Sequence, residues 1–154
     1  MTIGISADTQ QHLPELVKDY LVDHEHKVLS FAALAQADSD WDYIDAASAL
    51  AEAVSSGKCE QGILFCNTGT GVSIIANKVP GVRATLCVDE FSAEIARIAN
   101  DANVLILSMR LTGDMLARQI LDRWFATDPA TANERRLNLH KKTHEFDERY
   151  RKPR

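Results

Sequence analysis

The order of residue patterns predicts an α/β fold with a doubly wound parallel sheet. Five short β-branched or apolar runs alternate with longer stretches in which apolar residues recur three and four positions apart. Strict alternation of this kind calls for right-handed crossovers, which lay helices on both faces of a parallel sheet. With 154 residues, 45% hydrophobic and 25% charged, the chain suits one compact unit with a buried core.

Taken in order, the strands are expected at Thr2-Ile3-Gly4-Ile5, Lys27-Val28-Leu29-Ser30-Phe31, Gly62-Ile63-Leu64-Phe65-Cys66, Ala84-Thr85-Leu86-Cys87-Val88 and Asn103-Val104-Leu105-Ile106-Leu107. The helices between and after them are Leu13 to His24, Tyr43 to Ser56, Val72 to Lys78, Glu90 to Asn100 and Thr112 to Phe125. Asp42 with Asp45 three positions on suits a helix start, Gly57 a helix end, and Thr112-Gly113-Asp114 a further start. Asp128-Pro129-Ala130-Thr131 interrupts the pattern, dividing a domain at 1–127 from a helical arm at 128–154. The arm is charged from Asn133 to Tyr150, with Leu137 and Leu139 as apolar anchors. It is too polar to form a core alone, so it should pack on the domain or on a partner chain, with 149–154 mobile.

Several functions are excluded at this level. The longest apolar runs fall far short of the roughly 20 residues that span a bilayer, and Met1 to Ser6 lack the basic start and apolar core of an export signal. A net charge of −5 opposes nucleic-acid binding. Three cysteines, Cys59, Cys66 and Cys87, cannot all pair, and read as reduced thiols in a cytoplasmic protein. His140 and His144 have the i, i+4 spacing of two metal ligands, but no carboxylate is placed as in His-Glu-x-x-His and the helix reads as solvated throughout, so no metal is expected. Cys59 beside Lys58 reads as exposed, Cys87 as core, and Trp41, Trp124, Met109, Met115 and Phe125 as packing residues.

Ligands of an open parallel sheet bind beyond the carboxyl ends of its strands. After the first strand come Asp8, Thr9 and His12; after the third comes Cys66-Asn67-Thr68-Gly69-Thr70-Gly71-Val72-Ser73. A thiol ending a strand, a glycine-bearing loop and a helix start gather backbone N–H donors at one point, where anionic oxygens are stabilised. The same placement favours a thiolate, so Cys66 suits a base or nucleophile; the alternative is an unreactive buried strand cysteine. The loop is neither a dinucleotide fingerprint nor a P-loop, since it lacks the third glycine of one and the Gly-Lys-Ser/Thr of the other.

The run from Gly62 through Cys66-Asn67-Thr68-Gly69-Thr70-Gly71 to Pro80-Gly81-Val82-Arg83 resembles the ribose-5-phosphate isomerase B and galactose-6-phosphate isomerase family. The likeness continues through Phe91 to Glu94, Asn100 to Leu105 and Met109 to Gly113, and more loosely through Gly4 to Asp8 and Asp42-Tyr43. It implies a metal-independent, cofactor-free aldose-ketose isomerase of a phosphorylated sugar on a Rossmann-like sheet, working as a homodimer or dimer of dimers with sites shared between chains. By position, Cys66 matches the family's catalytic base; Thr68, with Asn67, Gly69, Thr70 and Gly71, the enediolate-stabilising loop; and Asp8 a ligand of sugar hydroxyls. Asn100 and Arg110 match residues the neighbouring chain contributes, Arg110 suiting a phosphate by its planar donor fork. Arg136, or less directly Arg135, stands nearest the family's phosphate-binding arm arginines.

The chain departs from the family at two histidines, replaced by Thr9 and Ala99. The second usually helps to open a sugar ring, so its loss points to a substrate that cannot cyclise, such as the D-erythrulose 4-phosphate and D-erythrose 4-phosphate pair. His12 stands too far along to be equated with either histidine, and its place at the start of the first helix would let it reach the phosphate. The alternatives are isomerisation of ribose 5-phosphate and ribulose 5-phosphate, a non-catalytic subunit of a hetero-oligomer, and a sugar-phosphate sensor.

Overall fold

A computed structural model describes residues 1–38 and 40–151. Its strands are β1 (Thr2–Ala7), β2 (Lys27–Ala32), β3 (Gln61–Cys66), β4 (Ala84–Leu86) and β5 (Val104–Ser108). The helices are α1 (His12–Asp23), α2 (Tyr43–Ser55), α3 (Thr70–Ala76), α4 (Glu90–Asn100), α5 (Asp114–Ala126) and α6 (Glu134–Tyr150), with a 3-10 turn at Pro129–Thr131 before the last. All paired strands run parallel in the order β2-β1-β3-β5-β4.

Helices cover both faces. One core joins β1, β3 and β5 to α1, α4 and α5 around Tyr20, Phe65, Ile120 and Trp124; the other joins β3 and β5 to α2 and α3 around Leu50, Leu64, Val72 and Ile106. The alanine-rich α2 lies close on the sheet because Gly4 and Gly62 make room for it. A Cβ at Gly4 would come 2.4 Å from Leu50 Cδ1, and one at Gly62 2.9 Å from Leu50 Cδ2. Asp42 and Asp45 form the expected reciprocal cap of α2. Asp89 and Ser92 do the same for α4, and the backbone N–H of Ser92 holds the Asp89 carboxyl below its ordinary pKa.

Some expectations are corrected. β4 is three residues long rather than five, although Cys87 still donates its N–H to Ile106 O at 3.2 Å. α3 begins at Thr70 and α5 at Asp114, after a Gly113 that offers no side-chain cap. Cys59 is buried rather than exposed: it folds back to donate its N–H to Ala53 O and puts its thiol beneath Gly4. Met115 is 76% exposed, because apolar spacing on a helix does not reveal whether a neighbour covers it, whereas Met109 and Phe125 do pack on the core. In α6 Leu137 and Leu139 are exposed and His140 is the buried residue, so the helix is not solvated throughout. Arg149 and Tyr150 are helical, while 152–154 of the expected mobile end lie outside the described residues. Among the described residues no helix is long and apolar enough to cross a membrane.

Candidate active site

From β1 the chain passes to β2 on one side and then to β3 on the other, so β1 and β3 flank a topological switch point, where such sheets open a crevice. Ser6 pairs with Leu64 across these strands, and two residues further on Asp8 and Cys66 follow level with one another, both half-buried. Of the three thiols, Cys66 is the one open to solvent. Burial pushes the Cys59 thiol up and the Cys87 thiol to about 12, leaving both protonated and unreactive at neutral pH.

The turn after Cys66 is pinned to the strand beside it. Cys66 O accepts from Met109 N at 2.8 Å, and Asn67 O accepts from Ser108 Oγ at 2.7 Å and Arg110 N at 3.2 Å. Gly69 has a φ of +84°, which an L side chain rarely adopts, and a Cβ there would stand 2.7 Å from Leu86 Cδ1. Gly71 admits the Tyr43 ring, whose Cε2 would lie 2.9 Å from a Cβ. The turn thus has a fixed shape, which presents the exposed Thr68 and Thr70 hydroxyls 2.9 Å apart and ties Ser73 Oγ to Gly69 O at 2.6 Å. Donors preset in this way stabilise a developing oxyanion without reorganising.

The remaining sequence-derived residues divide into three groups. Thr9 is exposed and accepts from Gln11 Nε2 at 3.4 Å, and the nearby His12 meets Asp114, so both belong to this edge of the sheet. Arg110 is exposed beside Asn67 in the same chain. Asn100 ends α4 at the opposite edge: Asn103 O accepts from Gly62 N at the start of β3, and Cys66 lies four residues on, about 13 Å at the usual rise. Arg135 and Arg136 lie in the first turn of α6, which packs on α4 rather than over the crevice. A single chain therefore does not bring Asn100, Arg135 or Arg136 to Cys66. His140 and His144 bond to Ile98 O and Asp101 Oδ2, and among the described residues no group of three His, Cys, Asp or Glu side chains is placed to hold a metal. Sequence reading assigned Asp114 and Tyr43 no part in the site; their partners lie too far away in the chain for any spacing to reveal.

The family model described as Ribose/Galactose Isomerase matches residues 3–140. The chain belongs to the ribose/galactose isomerase family. Among relatives, it is 38% identical over 125 residues to the D-erythrulose-4-phosphate isomerase of Pectobacterium atrosepticum, covering 80% of this chain and 82% of that protein. Among solved structures, ribose-5-phosphate isomerase B of Clostridium thermocellum superposes with a TM-score of 0.88 at 37% identity over 98% of this chain and 100% of the other. The Mycoplasma genitalium ribose-5-phosphate isomerase B with bound ribulose-5-phosphate gives 0.82 at 31% identity over 96% of each. As a ribose/galactose isomerase family member, the protein is an aldose-ketose isomerase of a phosphorylated sugar.

Proposed function

We propose that Cys66 is the base of this isomerase and that the Asn67–Gly71 turn stabilises the enediolate. The observation that carries the reading is the half-exposed Cys66 level with Asp8 at the switch point, next to a turn that glycine geometry holds rigid. The Cys66 thiolate takes the proton from the carbon beside the carbonyl. The charge that develops on oxygen is met by Thr68 and the N–H groups of Gly69, Thr70 and Gly71, while Asp8 accepts from substrate hydroxyls. Return of the proton to the neighbouring carbon completes the aldose-ketose exchange, with the hydroxyl proton passing from one oxygen to the other.

For the substrate, ribose 5-phosphate and ribulose 5-phosphate come first, supported by the whole-chain likeness to solved ribose-5-phosphate isomerases B. Ala99 is compatible with that pair in one direction, because ribulose 5-phosphate has no free hydroxyl placed to close a ring. The second reading is a four-carbon sugar phosphate, which Thr9, Ala99 and the Pectobacterium relative favour. Solvent-proton exchange in deuterated water, followed by NMR for sugar phosphates of four, five and six carbons, separates the two. The five-carbon reading expects fast exchange with ribulose 5-phosphate and slow exchange with cyclic ribose 5-phosphate. Exchange confined to the tetrose phosphates would replace it with the second reading.

The complete site takes a second copy of this chain, packed about a two-fold axis so that each chain's α4 end meets the other's Cys66 edge. Exposed apolar residues support such a cover: Ile74, Val88 and Phe91 are 62%, 50% and 69% exposed beside the edge strand β4. Arg136, with Arg135 beside it, would then take the phosphate from the partner's arm. Mixing inactive Cys66→Ala and Asn100→Ala chains should restore activity, since a mixed dimer holds one site with both residues intact; no recovery after subunit exchange would contradict shared sites.

A further inference from the structure

The β1–α1 loop crosses the carboxyl edge of the sheet and is tied on both sides. Gln10 Nε2 donates to Ala33 O, just past β2, at 3.0 Å. On the other side His12 Nε2 lies 3.0 and 2.9 Å from the two carboxylate oxygens of Asp114, in the first turn of α5. α1 and α5 share one face of the sheet and follow β1 and β5, the strands on either side of β3. The imidazole-carboxylate contact therefore joins the elements that follow the two strands flanking the one that carries Cys66. The side chains of His12 and Asp114 are 71% and 58% exposed, so the core does not depend on them. What the contact does restrain is the short loop holding Asp8 and Thr9.

We propose that His12, acting through Asp114, is a positioning residue that fixes the β1–α1 loop, so that substrate meets Asp8 and Cys66 at one spacing. This rests on the isomerase reading of the Cys66 crevice. The charges acting on His12 are Asp114 from α5 and Glu15 from its own helix, and the Asp114 hydrogen bond leads in raising its pKa above 6.5. Below that raised value the contact is an ion pair, and above it a hydrogen bond from a neutral imidazole to the Asp114 carboxylate, with the attraction between opposite charges gone.

The test compares wild type with His12→Ala, Asp114→Ala, the double variant and His12→Lys, which keeps a cation for Asp114. Steady-state kinetics is followed over a pH series that runs upward from the ordinary histidine value of about 6.5, since the Asp114 contact moves the His12 transition above it. Each alanine variant should raise KM at least about threefold, in the range an exposed charged pair can carry, with kcat nearly unchanged. The double variant should be no worse than either single one. In wild type KM should rise with pH through the His12 transition, and His12→Lys should recover most of the binding while removing that dependence. Amide hydrogen exchange, which needs no turnover, should show residues 8–12 opening faster in His12→Ala. Unchanged KM in both single variants, additive losses in the double, or unchanged loop exchange would overturn the proposal. If wild type instead moves no proton on any sugar phosphate, the isomerase reading of the crevice fails, and loop exchange alone decides whether the contact holds the loop.

Discussion

The turn after β3 and the helix α6 are both polar and largely exposed, yet they are held in place by different means. The turn is fixed by backbone geometry: a left-handed Gly69, close approaches at Gly69 and Gly71, and hydrogen bonds that Asn67 O accepts from the adjacent end of β5. α6 buries only His140 and is attached by side chains meeting groups far away in the chain. His140 Nε2 lies 3.2 Å from Ile98 O, His144 Nε2 lies 3.1 Å from Asp101 Oδ2, and Asp147 Oδ2 accepts from Gly81 N at 2.8 Å. The first kind of constraint is written in a few consecutive residues; the second depends on which surfaces meet after folding.

The largest test of this contrast is Gly69→Ala. A left-handed L residue costs about 1–2 kcal/mol, and the new Cβ also crowds Leu86. Urea unfolding should show that loss, and kcat/KM should fall at least about tenfold as the turn shifts. Normal stability with normal turnover would show that the turn is not held as described. His140→Ala comes next: it leaves Ile98 O without its partner and should cost about 1 kcal/mol, with faster amide exchange in α6 than in the sheet. His144→Ala should be the smallest, about 0.5 kcal/mol or less, since its contact with Asp101 is half exposed. A reversed order for the two histidines would mean that α6 is held by its exposed contact rather than by its one buried contact.

The same contrast explains what the sequence made legible. Strand and helix order, the Asp42–Asp45 cap and the Cys66-to-Gly71 turn follow from periodicity and local backbone chemistry, and were readable. Spacing implied a doubly wound sheet without giving the position of β4 outside β5, because strand order is set by crossovers rather than by any strand's own residues. Cys59 was misread because its burial depends on a loop folding back under Gly4, and Met115 because helical periodicity marks an apolar residue without saying what covers it. The His12–Asp114 contact joins residues 102 positions apart, and His140 finds Ile98 across 42, so no local pattern announces either. Asn100 marks the limit for the site: its number could be matched, but one chain leaves it at the far edge of the sheet.

In the proposed chemistry Cys66 removes the proton. The most direct measurement follows exchange of the proton beside the carbonyl of ribulose 5-phosphate and of D-erythrulose 4-phosphate in deuterated water, comparing wild type with Cys66→Ala. Loss of a general base is expected to slow exchange by at least about a hundredfold on whichever sugar wild type accepts, with binding of that sugar retained. Exchange by Cys66→Ala within about tenfold of wild type would assign the proton transfer to another group and leave Cys66 no part in it.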